Sequence, residues 1–134
     1  MNEILSMSSL PFTITGTVTP GTGVARVLGF PTANIAYENS SLPQGVYFAS
    51  TIVPAEIASR PSIVFWGTPY DVKEITKPRL EVHILGQSGL ELYGTELTVT
   101  LEYFHRANQR FPDTNDLHEA IMQDIEAAKK YFSI

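Results

Sequence analysis

Thr32 and Asn34, in the stretch RVLGFPTANI, carry side-chain oxygens that could bind a ligand, and they lie two residues apart. If the chain is extended there, side chains two residues apart point the same way, so two oxygen-bearing groups would share one small volume. Uncharged oxygens bind Mg²⁺ only weakly alone, and do so chiefly when substrate phosphates supply further oxygens. The alternative is that both side chains satisfy backbone groups at a turn, which is their commoner use. From these residues alone, we favour that structural alternative.

Glu81 is a second candidate, because it lies between Leu80 and Val82 in a segment that reads as a half-buried strand. On a face that lines a cleft, a carboxylate can act as a general base or bind a hydroxyl. The commoner outcome is an exposed edge-strand carboxylate paired with Arg79. His83 shares the face of Glu81 and could change the proton affinity of that carboxylate, although a solvent-facing histidine is more usual.

Glycines are spaced through GTVTPGTGVARVLGFPTAN, where they would let backbone amides approach phosphates closely. They are Gly16, Gly21, Gly23 and Gly29. The pattern lacks the Gly-Lys-Ser/Thr ending of a Walker loop, and no helix follows it as a dinucleotide fingerprint requires. A hairpin loop without a ligand is the simpler interpretation.

Arg106 and Phe111 lie in HRANQRF, between the last predicted strand and the predicted helix. An arginine beside aromatic residues can clamp an anion or stack on a flat ring. Capping and packing explain these residues equally well. Tyr93, which precedes Gly94 at the entry to a strand, is explained by hairpin packing.

Period-two alternation of apolar residues dominates the elements that must position these side chains. It predicts strands at FTITGTVT, GVYFASTIV, PRLEVHILG and TELTVTLEYF, and the short apolar run PSIVFWG, bounded by Pro61 and Gly67, indicates a further, buried strand. In TELTVTLEYF, Leu97, Val99, Leu101 and Tyr103 fall on one face. No helical segment separates the strands, which indicates an antiparallel barrel or sandwich rather than a parallel sheet.

The period changes to that of a helix in DLHEAIMQDIEAAKKYF. Asp113 is a suitable N-cap, with Asp116 three residues later, and the last turn carries lysines that suit the helix dipole. The apolar residues at helical spacing are Leu117, Ile121, Ile125, Ala128 and Phe132.

Length and composition fit a single packed domain of 134 residues with 43% hydrophobic residues. The net charge of −5 gives no general attraction to nucleic acid or to an anionic membrane. The absence of cysteine excludes disulfides, thiolate metal sites and cysteine nucleophiles. The chain starts without the pattern of a signal peptide, and no window has the length of a membrane span. We expect a monomer in the cytoplasm.

The order of seven blocks resembles the riboflavin kinase (flavokinase) family. They are GTVTPGTGVARVLGFPTANI, LPQGVYFA, WGTPY, LEVHIL, LYGTELTV, HRANQRF and DLHEAIMQDIEAAKKYF. In many bacteria this module is the C-terminal half of a bifunctional riboflavin kinase and FAD synthetase. No adenylyltransferase half precedes it here, so we expect a stand-alone kinase domain at 12–134 after an N-terminal tail at 1–11.

The resemblance implies a mainly β fold, a six-stranded antiparallel Greek-key barrel with a C-terminal helix. It also implies an ATP:riboflavin 5′-phosphotransferase that uses Mg²⁺ and gives FMN and ADP. Its catalytic base would be Glu81, and Thr32 and Asn34 would coordinate the metal and the ATP phosphates. The glycine loop with Gly21, Gly23, Arg26 and Gly29 would cover the nucleotide. The flavin would be bound by Arg106, Phe111 and the helix residues Leu117 and Ile121.

Two other functions remain open on the sequence. One is a non-catalytic flavin- or nucleotide-binding module derived from the kinase, for which departures from the family pattern in HRANQRF leave room. The other is a kinase for a different flavin analogue or nucleotide. None of these departures falls at Thr32, Asn34 or Glu81, so an active riboflavin kinase is the preferred hypothesis.

Overall fold

The computed structural model describes residues 10–19, 32–38, 41–54, 56, 58–68, 78–86 and 92–134. Six strands and one helix lie in these ranges. They are β1 (Phe12–Thr19), β2 (Ala33–Ile35), β3 (Gly45–Ile52), β4 (Arg60–Gly67), β5 (Arg79–Ile84), β6 (Glu96–Ala107) and α1 (Thr114–Phe132).

The strands form a closed antiparallel barrel in the order β1-β2-β5-β4-β3-β6, with β6 paired back to β1. This confirms the predicted mainly β fold with six strands and a C-terminal helix. A closed barrel leaves no edge strand. Glu81 lies on β5, which is paired on both sides, with β2 and with β4. The prediction of an edge-strand carboxylate was therefore wrong.

The five strands predicted from the sequence pattern all occur, with ends that differ by a few residues. β6 continues three residues beyond the predicted end at Phe104, and β3 stops one residue before Val53. β2 has only three residues, too few for alternation to identify it. Its extended backbone is nevertheless the condition under which Thr32 and Asn34 were expected to act together.

The barrel interior is filled by the alternating apolar residues of all six strands. Full burial of one such side chain stabilises the fold by roughly 1.5–3 kcal/mol. The polar ends of two large interior aromatics are satisfied, since the Tyr47 hydroxyl donates to the Pro43 carbonyl and Trp66 Nε1 donates to the Leu42 carbonyl. The core includes Ile14, Val18, Ile35, Tyr47, Val64, Trp66, Leu80, Val82, Leu97, Val99 and Leu101.

A β-bulge in β6 reverses the facing of its second half. Leu101 pairs with Ala49 while Tyr103 pairs with Phe48, which leaves one extra residue of β6 between the two pairs. Such an insertion shifts the alternation by one position. Tyr103 is therefore 48% exposed, and Phe104 packs inward against Tyr47. The prediction that Tyr103 shares the face of Leu101 was wrong for this reason.

Helix α1 begins as predicted, because the Asp113 side chain accepts a hydrogen bond of 2.9 Å from the backbone N–H of Asp116. The helix packs on the outer wall of β3 and β4 through a second apolar cluster. We call this the outer cluster, and its buried members are Val46, Phe48, Ile63, Leu85 and Ala128. In the described part of the chain, no helix has the length and hydropathy needed to cross a membrane.

Gly45, the first residue of β3, allows β3 and β6 to approach closely where it pairs with Ala107. A Cβ at this position would collide with the carbonyl oxygen of Arg106 and lie 2.8 Å from the ring of Phe104. Gly45→Ala should therefore lower the free energy of unfolding by about 1–3 kcal/mol. Urea unfolding measures this change. Thr15→Ala, at an exposed position of β1, is the control and should cost less. An equal loss in both variants would contradict the close approach.

Candidate active site

Thr32, Asn34 and Glu81 meet on the barrel although 49 residues separate the first from the last. Strand β2 pairs with β5 so that Asn34 lies directly opposite Glu81. Just before β2, Thr32 Oγ1 donates to Glu81 Oε1 over 3.5 Å. The contact is partly buried. Two residues that seemed structural in isolation thus lie beside a carboxylate from a distant strand.

Asn34 holds one oxygen in an unusual environment. Its Nδ2 donates to Thr19 Oγ1 over 3.3 Å, and the Thr19 hydroxyl lies 3.3 Å from the Asn34 carbonyl, to which it can donate in turn. Its Oδ1 is buried, and among the described residues it has no hydrogen-bond partner. A buried acceptor without a partner costs about 1–3 kcal/mol. The amide is thus oriented by β1, and its oxygen is suited to a ligand from outside the protein.

Glu81 faces the outside of the barrel, because its neighbours Leu80 and Val82 are part of the interior core. Cross-strand partners continue outward-facing positions across the wall. Glu81 lies beside Phe65, Phe65 beside Val46, and Val46 beside Arg106. At the usual strand spacing of about 4.8 Å, Arg106 is roughly 14 Å from Glu81 along the sheet.

His83 shares the outer face with Glu81 but is only 8% exposed. It lies opposite Ile63, a member of the outer cluster beneath α1. The prediction of a solvent-facing histidine was wrong, because alternation identifies a second face of β5 but not the helix that covers the wall next to it.

Arg106 is fixed by a carboxylate of α1. Its Nε and Nη2 donate to Asp124 Oδ1 and Oδ2 over 2.8 and 2.7 Å. The guanidinium carbon also lies 5.7 Å from the centre of the Phe111 ring. The predicted pair of Arg106 and Phe111 is therefore in contact, and the two-pronged face of the arginine is occupied by Asp124.

Asp124 was missed by the sequence reasoning. Its side chain is 2% exposed, whereas helix carboxylates are usually solvated. The signal available in the sequence was its position, three residues after Ile121 and four before Ala128, on the apolar stripe of α1.

The remaining predicted site residues fall into two groups. On the first half of α1, Leu117 is half-buried and Ile121 is buried. The predicted nucleotide loop lies outside the described residues, including Gly21, Gly23, Arg26 and Gly29.

Tyr93 is 48% exposed at the turn before β6. No grouping of three or more acidic or histidine side chains able to hold a metal occurs in the described ranges. Thr32 Oγ1 and Glu81 Oε1 lie 3.5 Å apart, and Asn34 is the cross-strand neighbour of Glu81.

The family model and the curated relatives point to one family. The riboflavin kinase family model matches residues 8–132. The bifunctional riboflavin kinase/FMN adenylyltransferase of Pseudomonas fluorescens is 38% identical over 120 residues, which span 89% of this chain and 38% of that protein. Its counterpart in Escherichia coli strain K12 is 33% identical over 130 residues, which span 96% of this chain and 41% of that protein. The chain therefore spans about two fifths of the length of these relatives.

Solved structures share the fold. A crystal structure of a macrolide-efflux protein from Streptococcus pneumoniae superposes with a TM-score of 0.74 at 22% identity, over 89% of this chain and 38% of that one. The riboflavin kinase of Trypanosoma brucei superposes with a TM-score of 0.61 at 19% identity, over 90% of this chain and 79% of that one. The match of the family model across nearly the whole chain establishes that this protein belongs to the riboflavin kinase family.

Proposed function

We propose that this protein is a riboflavin kinase, which transfers the γ-phosphate of ATP to the terminal ribityl hydroxyl of riboflavin and gives FMN and ADP. The observation that carries the proposal is the meeting of Thr32, Asn34 and Glu81 on the outer wall of the barrel. Membership of the riboflavin kinase family supplies the substrate class.

Glu81 is the proposed general base. It accepts the proton of the terminal ribityl hydroxyl, whose oxygen forms the new bond to the γ-phosphorus. The bond from that phosphorus to the oxygen bridging to the β-phosphate breaks, and ADP leaves. Phosphoryl transfer depends on in-line placement and charge stabilisation more than on covalent help, so one positioned carboxylate is sufficient. Thr32 would hold Glu81 in place through the 3.5 Å hydrogen bond.

Mg²⁺ is the proposed cofactor, with Thr32 and Asn34 as its protein ligands. The buried Asn34 Oδ1, without a partner among the described residues, is an oxygen donor of the type that this hard cation prefers. Bound Mg²⁺ would neutralise phosphate charge. Neutral ligands are adequate when the phosphates of ATP provide the remaining negative oxygens.

The two substrates are proposed to approach from opposite ends of one wall. The nucleotide would lie near Asn34, and the residues proposed to cover it, Gly21, Gly23, Arg26 and Gly29, lie outside the described ranges. The flavin ring would lie toward Arg106, Phe111, Leu117 and Ile121. The spacing supports this arrangement, because riboflavin is an extended molecule whose ribityl chain must reach Glu81 while its ring binds elsewhere.

The proposal is tested with the purified protein, riboflavin, ATP and Mg²⁺. We expect FMN and ADP to form in equal amounts, as separated by chromatography, with turnover in the usual range for kinases of roughly 1–100 s⁻¹. Omission of Mg²⁺ should stop the reaction. If no FMN forms while the protein still quenches riboflavin fluorescence, the non-catalytic binding module is the better assignment.

A further inference from the structure

The contact between Arg106 and Asp124 differs from an ordinary surface ion pair, because the carboxylate is buried. Asp124 is among the most deeply buried residues of the molecule, at 1% exposure, and lies on the barrel-facing side of α1. Burial of a carboxylate is costly unless it is paired and hydrogen-bonded. Both of its oxygens are used by the guanidinium of Arg106. Such a pair fixes geometry more than it adds stability.

The second bulge of β6 makes this geometry available. Val46 pairs with Arg106 while Tyr47 pairs with Phe104, so His105 is the extra residue between them. Consecutive side chains of a regular strand point to opposite faces. Here His105 and Arg106 both reach Asp124, since His105 Nε2 lies 3.4 Å from Asp124 Oδ1. The bulge therefore directs two neighbouring side chains to one buried carboxylate.

His105 and Arg106 make further contacts at the junction between β6 and α1. The His105 ring stacks on Phe48 of the outer cluster, with ring centres 4.6 Å apart. Arg106 Nη1 lies 3.4 Å from the Ala107 carbonyl, and its guanidinium carbon lies over the ring of Phe111 at 5.7 Å. The guanidinium is thus placed between Asp124 and Phe111. The segment at 107–113, from the last residue of β6 to the residue before α1, therefore contacts the guanidinium at two points, the Ala107 carbonyl and the Phe111 ring.

We propose that Asp124 is a positioning residue for the flavin end of the site. It fixes the guanidinium of Arg106, and through it the ring of Phe111, in the arrangement that receives the isoalloxazine ring. The inference rests on the proposed function for its substrate. Asp124 itself is too deeply buried to contact the flavin, so its effect on riboflavin must pass through Arg106 and the linking segment.

Asp124→Asn is the test variant, because it preserves size and removes the charge that fixes both arms of the guanidinium. The KM for riboflavin should rise about tenfold or more, since small misplacement of a binding group has large kinetic effects. The KM for ATP should stay within about twofold, because the nucleotide is proposed to bind near Asn34 on β2, a strand that does not pair with β6. Amide hydrogen exchange across 107–113 should become faster.

Two controls separate positioning from loss of stability. Ile125→Ala weakens the packing of α1 on the outer cluster without touching the ion pair, and it should lower the Tm while leaving the riboflavin KM within about twofold. Glu126→Gln removes one charge from the same helix at a side chain that is 66% exposed, and it should change neither quantity.

The outcomes distinguish this inference from the proposed function. If the wild type forms no FMN, the proposed function fails, and hydrogen exchange at 107–113 together with riboflavin fluorescence quenching decides the role of Asp124. An unchanged riboflavin KM in Asp124→Asn overturns the positioning role. An equal rise in the riboflavin KM of Ile125→Ala, when the two variants have the same Tm, also overturns it, because the effect would then follow stability alone.

Discussion

Glu81→Gln is expected to lower the rate of FMN formation by about 10²–10⁴-fold, the usual contribution of a positioned general base. Glutamine preserves the volume of the side chain and an oxygen that can still accept from Thr32, so the local structure should survive. The amide cannot take the proton of the ribityl hydroxyl. The loss should therefore appear in kcat, with the affinities for riboflavin and ATP nearly unchanged. Steady-state kinetics and riboflavin fluorescence titration measure the two effects separately.

Glu96→Gln is the matched control, because Glu96 is an exposed carboxylate of the same barrel, at the start of β6. It should retain wild-type turnover. Near-normal turnover in Glu81→Gln would remove Glu81 from the role of base. Loss of both turnover and riboflavin binding would assign Glu81 to substrate binding.

Asn34→Ala should have the second largest effect, and its signature is a loss of activity without a matching loss of stability. The variant removes the Nδ2 bond to Thr19, which costs roughly 0.5–1.5 kcal/mol, and it also removes a buried oxygen without a partner in the described structure, which returns roughly 1–3 kcal/mol. The two effects have opposite signs. The free energy of unfolding should change by about 1 kcal/mol or less.

The concentration of Mg²⁺-ATP required for half-maximal rate should rise at least about tenfold in the same variant, because a ligand oxygen is lost. Titration of the rate against ATP at fixed excess Mg²⁺ measures this change, and urea unfolding measures stability. Thr17→Ala, at an exposed position of β1, should leave the ATP dependence unchanged. Unaltered ATP use together with a marked loss of stability would make Asn34 a structural residue.

Local patterns were sufficient for five of the six strands and for the helix. Alternation predicted the long strands because a half-buried strand needs an apolar residue at every second position. The helix and its N-cap at Asp113 followed from period and capping chemistry, which involve only neighbouring residues. The ordered blocks also indicated the family, and the family model confirms it.

The assignment of faces could not be completed from alternation, because it depends on strands and helices that are distant in sequence. The bulges in β6 turned Tyr103 outward and brought His105 and Arg106 to one side. Helix α1 and the outer cluster cover the wall beside His83, and barrel closure removed the edge on which Glu81 was first placed. Periodicity within one strand contains no information about such partners.

The sequence by itself determined the five longer strands, the helix and most of the candidate residues, since each is encoded in nearby residues or in a recognisable order of motifs. Only the tertiary structure decided which candidates meet. It joined Thr32 and Asn34 to Glu81 through the pairing of β2 with β5, and it paired Arg106 with Asp124 across the junction between barrel and helix. These contacts depend on register and closure, which are fixed by packing of the whole chain.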